Sequence, residues 1–142
     1  MSSYSFKEVR KAMRTALAAN GTISAAVSTR IYSNPQRSEP ITFPYLYIAA
    51  QDVREWDSKT RNGERSIIGV HVFTNDGLPT TNEGLIDAVI DVLHTASLTV
   101  TGQTFTMCRR DSVVPPRLVD GANDKVGVIY QGIVFFEVYT HA

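Results

Sequence analysis

The sequence predicts an α+β domain, a mainly antiparallel β-sheet with two α-helices packed on one face and a projecting β-hairpin arm. Three observations predict it. Two stretches carry apolar residues at helical spacing, two strand-like segments lie between them around an Asn62-Gly63 pair, and the chain closes on a long run that is apolar on both faces. At 142 residues and 43% apolar content, one domain spanning residues 1–142 is expected.

In the first helix, expected over about residues 5–20, Phe6, Val9, Met13, Ala16 and Leu17 form one stripe on a 3.6-residue repeat. Ser5 and Glu8 have capping-box spacing, and Asn20-Gly21 suits a left-handed C-terminal cap. From Gly21 to Pro44 a small apolar patch (Ile23, Ala26, Val27) and a short Ile31-Tyr32 element precede prolines at 35, 40 and 44, which favour an extended connection. Tyr45–Ala50 is apolar throughout, as in a strand covered on both faces. A polar segment, Gln51–Arg65, contains Asn62-Gly63, the pair most suited to a tight hairpin turn, and Ser66–Thr74 is the returning strand. The arm's tip is therefore expected near Arg61–Glu64.

The second helix opens at Pro79-Thr80-Thr81-Asn82-Glu83, where Thr80 and Glu83 repeat the capping-box spacing. Leu85, Ala88, Val89, Val92, Leu93 and Ala96 form its core stripe, and Glu83, Asp87, Asp91 and His94 a polar one. Thr101-Gly102 separates a short Leu98–Val100 strand from another over Gln103–Val113, which Pro115-Pro116 ends. The last strand, Val126–Tyr139, presents Val126, Val128, Tyr130, Val134, Phe136 and Val138 on one face and Ile129, Ile133 and Phe135 on the other. One helical layer covers one face only, so the second is expected to be covered by another subunit, with Gly127 and Gly132 marking bulges or bends.

Fourteen Lys and Arg balance fourteen Asp and Glu, which removes the basic surplus of a typical nucleic-acid binder. No apolar run exceeds the six residues from Tyr45 to Ala50, and a membrane span needs about 18, so no membrane contact is expected. The N-terminus has no signal-peptide pattern, which predicts a cytosolic site of synthesis and use. The single cysteine, Cys108, excludes an internal disulfide and CxxC chemistry, and reads as a buried strand residue.

Candidate chemistry is sparse. Asp87, Asp91 and His94 share a helix face that could converge on a metal, yet an acidic stripe opposite an apolar one is also what a solvated helix surface shows. A variant of the second reading pairs that stripe with basic residues of a neighbouring subunit. His71, between Val70 and Val72, reads as a hydrogen-bonded structural residue. There is no Gly-x-Ser-x-Gly elbow, Walker loop or Gly-x-Gly-x-x-Gly turn, and no cofactor is expected. The arm carries Arg54, Trp56, Asp57, Lys59 and Arg61, and its tryptophan either tucks onto its own sheet or anchors a protein contact. Nucleic acid is a weaker fit, because Glu55, Asp57 and Glu64 offset the bases.

The order of these features resembles a known family. The amphipathic first helix, Pro35-Gln36, Pro44-Tyr45, the Arg54–Thr60 arm, Val70-His71-Val72-Phe73, the helix ending Leu93-His94, Leu98–Gly102 and the closing strand together look like the tail-completion, or tail-terminator, proteins of long-tailed phages, including those kept in gene transfer agents. The resemblance implies a non-enzymatic virion protein, assembled in the bacterial cytoplasm, that forms a ring, usually hexameric, on the head-proximal end of the tail tube. Its implied partners are copies of itself, the tail tube protein and a head connector or stopper protein, with DNA only in transit through the lumen. Such a ring ends tube polymerisation and joins tail to head. Rings require heterologous contacts, for which Asp87 and Asp91 on one side and Arg109, Arg110 or Arg117 on the other are candidates, together with the arm. The rival readings are a connector or stopper ring, and a small ligand-binding or metal-dependent domain built on Asp87, Asp91 and His94.

Overall fold

A computed structural model describes residues 6–33, 42–55, 63–94, 97–100, 104–119 and 127–141. The elements run α1 (Phe6–Ala18), α2 (Gly21–Val27), β1 (Ile31–Tyr32), β2 (Tyr45–Glu55), β3 (Gly63–Thr74), α3 (Pro79–Leu93), β4 (Thr104–Leu118) and β5 (Tyr130–His141). One five-stranded sheet has the order β1-β2-β3-β5-β4, antiparallel except for the short β1–β2 pairing. The α+β class stands, with three helices instead of two.

The added helix comes from the residues read as a connection. Asn20 is extended (φ −83°) and its side-chain oxygen accepts from the Ile23 amide at 3.0 Å, so it caps the start of α2 and does not close α1. Ile23 and Val27, one turn apart, are both fully buried. At α3 the Thr80/Glu83 box does not form, because the helix starts two residues earlier: Leu78 is the N-cap, Pro79 takes the first turn, and Thr80 lies inside. Asp76 braces this start from outside, accepting from the Leu78 amide (3.1 Å) and the Thr81 hydroxyl (2.5 Å). Ser5, the other proposed cap, lies outside the described residues.

The strands run further than their apolar cores. β2 continues through Gln51–Glu55, because pairing with β3 supplies its backbone partners whatever the side chains, and the last pair is Glu55 with Glu64. Gly63 and Glu64 thus belong to β3 and are buried, and Gly63 also faces His141. Of the residues read as the arm's tip, Gly63 and Glu64 are therefore strand, while Arg61 and Asn62 lie outside the described residues. Leu98 and Val100 are buried without being a strand. β4 does not stop at Pro115-Pro116: a register shift between Val114 and Arg117 lets an edge strand absorb both prolines. β5 starts at Tyr130, later than expected, after a bend at Gly127 (φ +82°).

Gly132 does mark a bulge, but one carried by its neighbour: β5 pairs with β3 through Val72–Gly132 without a shift, while the β4 shift between Val114 and Arg117 falls opposite it, and the missing side chain also lets α3 approach. The core lies between the sheet and the helices. It takes Leu46 and Ile48 of β2, Ile68, Val70 and Val72 of β3, and Val134, Phe136 and Val138 of β5 against Val9, Met13, Leu17, Ile23, Val89 and Leu93. Asn82 pins α3 to two strands, its amide donating to the Val72 carbonyl (2.9 Å), the Thr74 hydroxyl (3.1 Å) and the Tyr130 carbonyl (3.1 Å).

Candidate functional site

Side chains alternate across a strand, so the core residues leave the opposite set on the other face. That set comprises Tyr45, Tyr47 and Ala49 of β2, Arg65, Ile67, Gly69, His71 and Phe73 of β3, and Gln131, Ile133, Phe135, Glu137 and Tyr139 of β5. None of them enters the core against the helices. This sheet face, which no described helix covers although Tyr45, Ile67 and Glu137 on it are themselves buried, is the strongest candidate for a functional surface among the described residues.

Its two ends differ in chemistry. At one end the rings of Tyr45 and Phe73 stack with centroids 4.7 Å apart, Tyr32 meets Tyr45 edge-on at 5.9 Å, and Phe43 tilts against it at 5.3 Å. His71 continues the row between Tyr47 (5.1 Å) and Phe73 (6.4 Å), and Gln131 Nε2 lies 2.9 Å from its Nδ1. Burial lowers the pKa of His71 and, together with the Tyr32 hydroxyl, raises that of Tyr45, so both are held neutral. At the centre Phe135 lies across the gap left by Gly69, where a Cβ would come within 3.1 Å of the ring.

The other end is an ionic clamp. Glu137, 5% exposed, has both carboxylate oxygens occupied: Oε1 accepts from Arg65 (Nε at 3.0 Å, and Nη2), and Oε2 from Arg109 Nε at 2.7 Å. β5 and β4 put Arg109 directly opposite Glu137, while Arg65 reaches it from β3. Hydrogen bonds from Arg65 and then Arg109 hold the Glu137 carboxyl below the usual carboxylate range. This second face is therefore less apolar than Ile129, Ile133 and Phe135 suggested.

The residues singled out in the sequence are not gathered in one place. Arg54 is exposed and pairs with Asp52 at 2.8 Å. Trp56, Asp57, Lys59 and Arg61 lie outside the described residues. Asp87 and Asp91 are exposed on α3. His94 ends that helix, and its Nδ1 accepts from the Arg110 amide at 3.0 Å. No group of three metal-ligating side chains is close enough to hold an ion among the described residues. Arg109 is engaged by Glu137 of its own chain, and Arg110, one residue on, is exposed. Cys108 is buried, and desolvation pushes its thiol up to about 12, which suits packing and not nucleophilic chemistry.

Sequence reasoning missed Glu137. The signal was present, since a lone carboxylate in Ile133-Val134-Phe135-Phe136-Glu137-Val138 cannot be buried without cationic partners. What the sequence hid was the register that supplies Arg65 and Arg109 from two different strands.

With this geometry in hand, comparison with known proteins is informative. A search of curated proteins finds no match. A chain in a structure described as "Virion of native gene transfer agent (GTA) particle" superposes with a TM-score of 0.85 over 99% of this chain and 100% of that one. Their identity is 20%, so the likeness is one of fold. The family model described as "Tail completion protein gp17" matches residues 11–134, from the middle of α1 into β5. On a match that long, the chain belongs to the tail completion protein gp17 family.

Proposed function

We propose that this structural protein of phage tail assembly forms a homo-oligomeric ring, a hexamer, at the head-proximal end of the tail tube. There it stops tube polymerisation and presents a surface to the head connector or stopper. The one-sided sheet carries the reading: helices cover one face, while the other offers aromatic rows and a carboxylate held between two guanidiniums, a surface made for contact and not for bond making. The protein acts without catalysis, in the virion at the head–tail junction.

Cyclic assembly needs two different surfaces on each copy. The hairpin arm, with Arg54, Trp56, Asp57, Lys59 and Arg61, contacts the neighbouring subunit or the tube. Asp87 and Asp91 of α3 and the bases Arg109, Arg110 and Arg117 of β4 share one flank of the subunit, and that flank meets a different surface of the next copy. DNA passes through the lumen without specific recognition, in keeping with the zero net charge.

The test is co-assembly. Added to polymerising tail-tube protein, the purified chain should cap tube ends and shorten the length distribution in electron micrographs. Binding to the portal side with DNA retention and no effect on tube length would instead make it a stopper.

A further inference from the structure

The sheet has two open edges, and they match. On one side β1 covers β2 only at Leu46 and Tyr47, so Ile48–Glu55 has no outer strand among the described residues. On the other side β4 is the last strand. Cross-strand rows can be followed straight over the sheet. Ile48, Val70, Val134 and Val113 share one; Asp52, Ile67, Glu137 and Arg109 another; Arg54, Arg65, Tyr139 and Met107 a third. The open half of β2 therefore lies level with Phe105–Val113. The half already covered by β1 lies level with Val114–Arg117, where Pro115 and Pro116 offer no amide donors.

Strand direction agrees. β2 and β5 run one way, β3 and β4 the other. Copies related by rotation about an axis along the strands keep their directions, so β4 of one copy meets β2 of the next antiparallel and the alternation continues. Two β4 edges could pair antiparallel only across a two-fold axis, which closes a dimer and not a ring.

Charge agrees as well. α1, which packs on β2, carries Lys7, Arg10, Lys11 and Arg14 against Glu8; α3, which packs on β4 and β5, carries Glu83, Asp87 and Asp91 and no base. Edge-to-edge copies thus bring an acidic flank to a basic one, and Asp52 level with Arg109. Register shifts occur in the β2–β3 and β4–β5 ladders and are absent from the central β3–β5 ladder, so the irregularities that favour local strand bending lie in the two outer ladders.

Resting on the ring reading, we propose that the subunit seam is a β-sheet joint: residues 105–113 of β4 pair antiparallel with Ile48–Glu55 of β2 in the next copy. The sheets become continuous, the helices form the outer layer, and the uncovered face lines the lumen. The Arg110 amide, held by His94, stays outside the joint.

Cysteine pairs test this in the full-length chain carrying Cys108→Ala. Asp52→Cys is combined in turn with Met107→Cys, Arg109→Cys and Ser112→Cys, all on one sheet face. Within a chain these positions are three strand spacings apart, about 14 Å, beyond the roughly 7 Å that a disulfide spans, so any bond is between copies. Mild oxidation of assembled protein should give a ladder on non-reducing gels up to the ring's copy number, absent from each single-cysteine variant. Rings seen by light scattering without such a ladder for any pair overturn the joint and leave the ring reading standing. A chain that stays monomeric, with and without tail-tube protein, overturns both.

Discussion

Gly132 of β5 lies flush against Ile86 of α3: a β-carbon on the glycine would stand 2.4 Å from Ile86 Cδ1, and 2.6 Å from Asn82 Oδ1. Ile86 is 5% exposed and Asn82 is held by its own hydrogen bonds, so neither can move away freely. Gly132→Ala should destabilise the fold by about 1–3 kcal/mol through overpacking, measured by urea unfolding with an unchanged m-value. A neutral or stabilising result would mean that α3 does not seat on β5 as closely as described.

Asn82 is the polar tie of the same contact. Replacing it with alanine removes donors to the Val72 and Tyr130 carbonyls and should cost about 1–3 kcal/mol. Hydrogen exchange should quicken first at the start of α3 and the adjoining ends of β3 and β5. Uniform exchange changes would point to a general packing defect instead.

The Glu137 clamp predicts a pH dependence with a definite sign. Its carboxyl is depressed in the folded state, so its contribution is complete above the ordinary carboxylate range and is lost as pH falls through the lowered value. Glu137→Gln should lose about 1–3 kcal/mol near neutral pH, since Arg65 and Arg109 lose their shared anion, and the difference from the parent should shrink under acid conditions. Parallel curves from pH 7 to pH 2 would contradict the assignment.

Cys108 should be inert. Buried, with its thiol raised to about 12, it should resist aromatic disulfide reagents at pH 8 in the native protein and react fully once unfolded. Rapid native labelling would place it at an accessible seam.

Trp56 tests the arm. Trp56→Ala should weaken ring closure or tube binding more than it lowers subunit stability, comparing oligomer mass with thermal unfolding of the dilute protein. Equal losses would place the indole in the subunit's own fold.

Legibility of the fold in the sequence followed the length of each apolar pattern. The stripe from Phe6 to Leu17 and the run through Val134, Phe136 and Val138 announced α1 and β5, because burial alone determines them. The seven residues of α2 were too few to show a period, and Asn20 suits either end of a helix, so only tertiary contacts decide its role. The hairpin of β2 and β3 past Ala50 was legible from Asn62-Gly63, whereas β4 through Pro115-Pro116 was hidden because the neighbouring strand, and not its own side chains, keeps it extended. Tyr45 and Phe73, like Glu137 and Arg109, are brought together by register across strands. Tail assembly was legible as a family resemblance in the order of several weak motifs, while the surface that serves it was not.

The central claim is ring formation, and absolute mass tests it most directly. Light scattering of the purified chain over a concentration series, repeated with tail-tube protein, should show a closed species of six times the 15.7 kDa chain mass, with ring-shaped particles in negative stain. A mass that stays at one chain in both conditions would contradict the account.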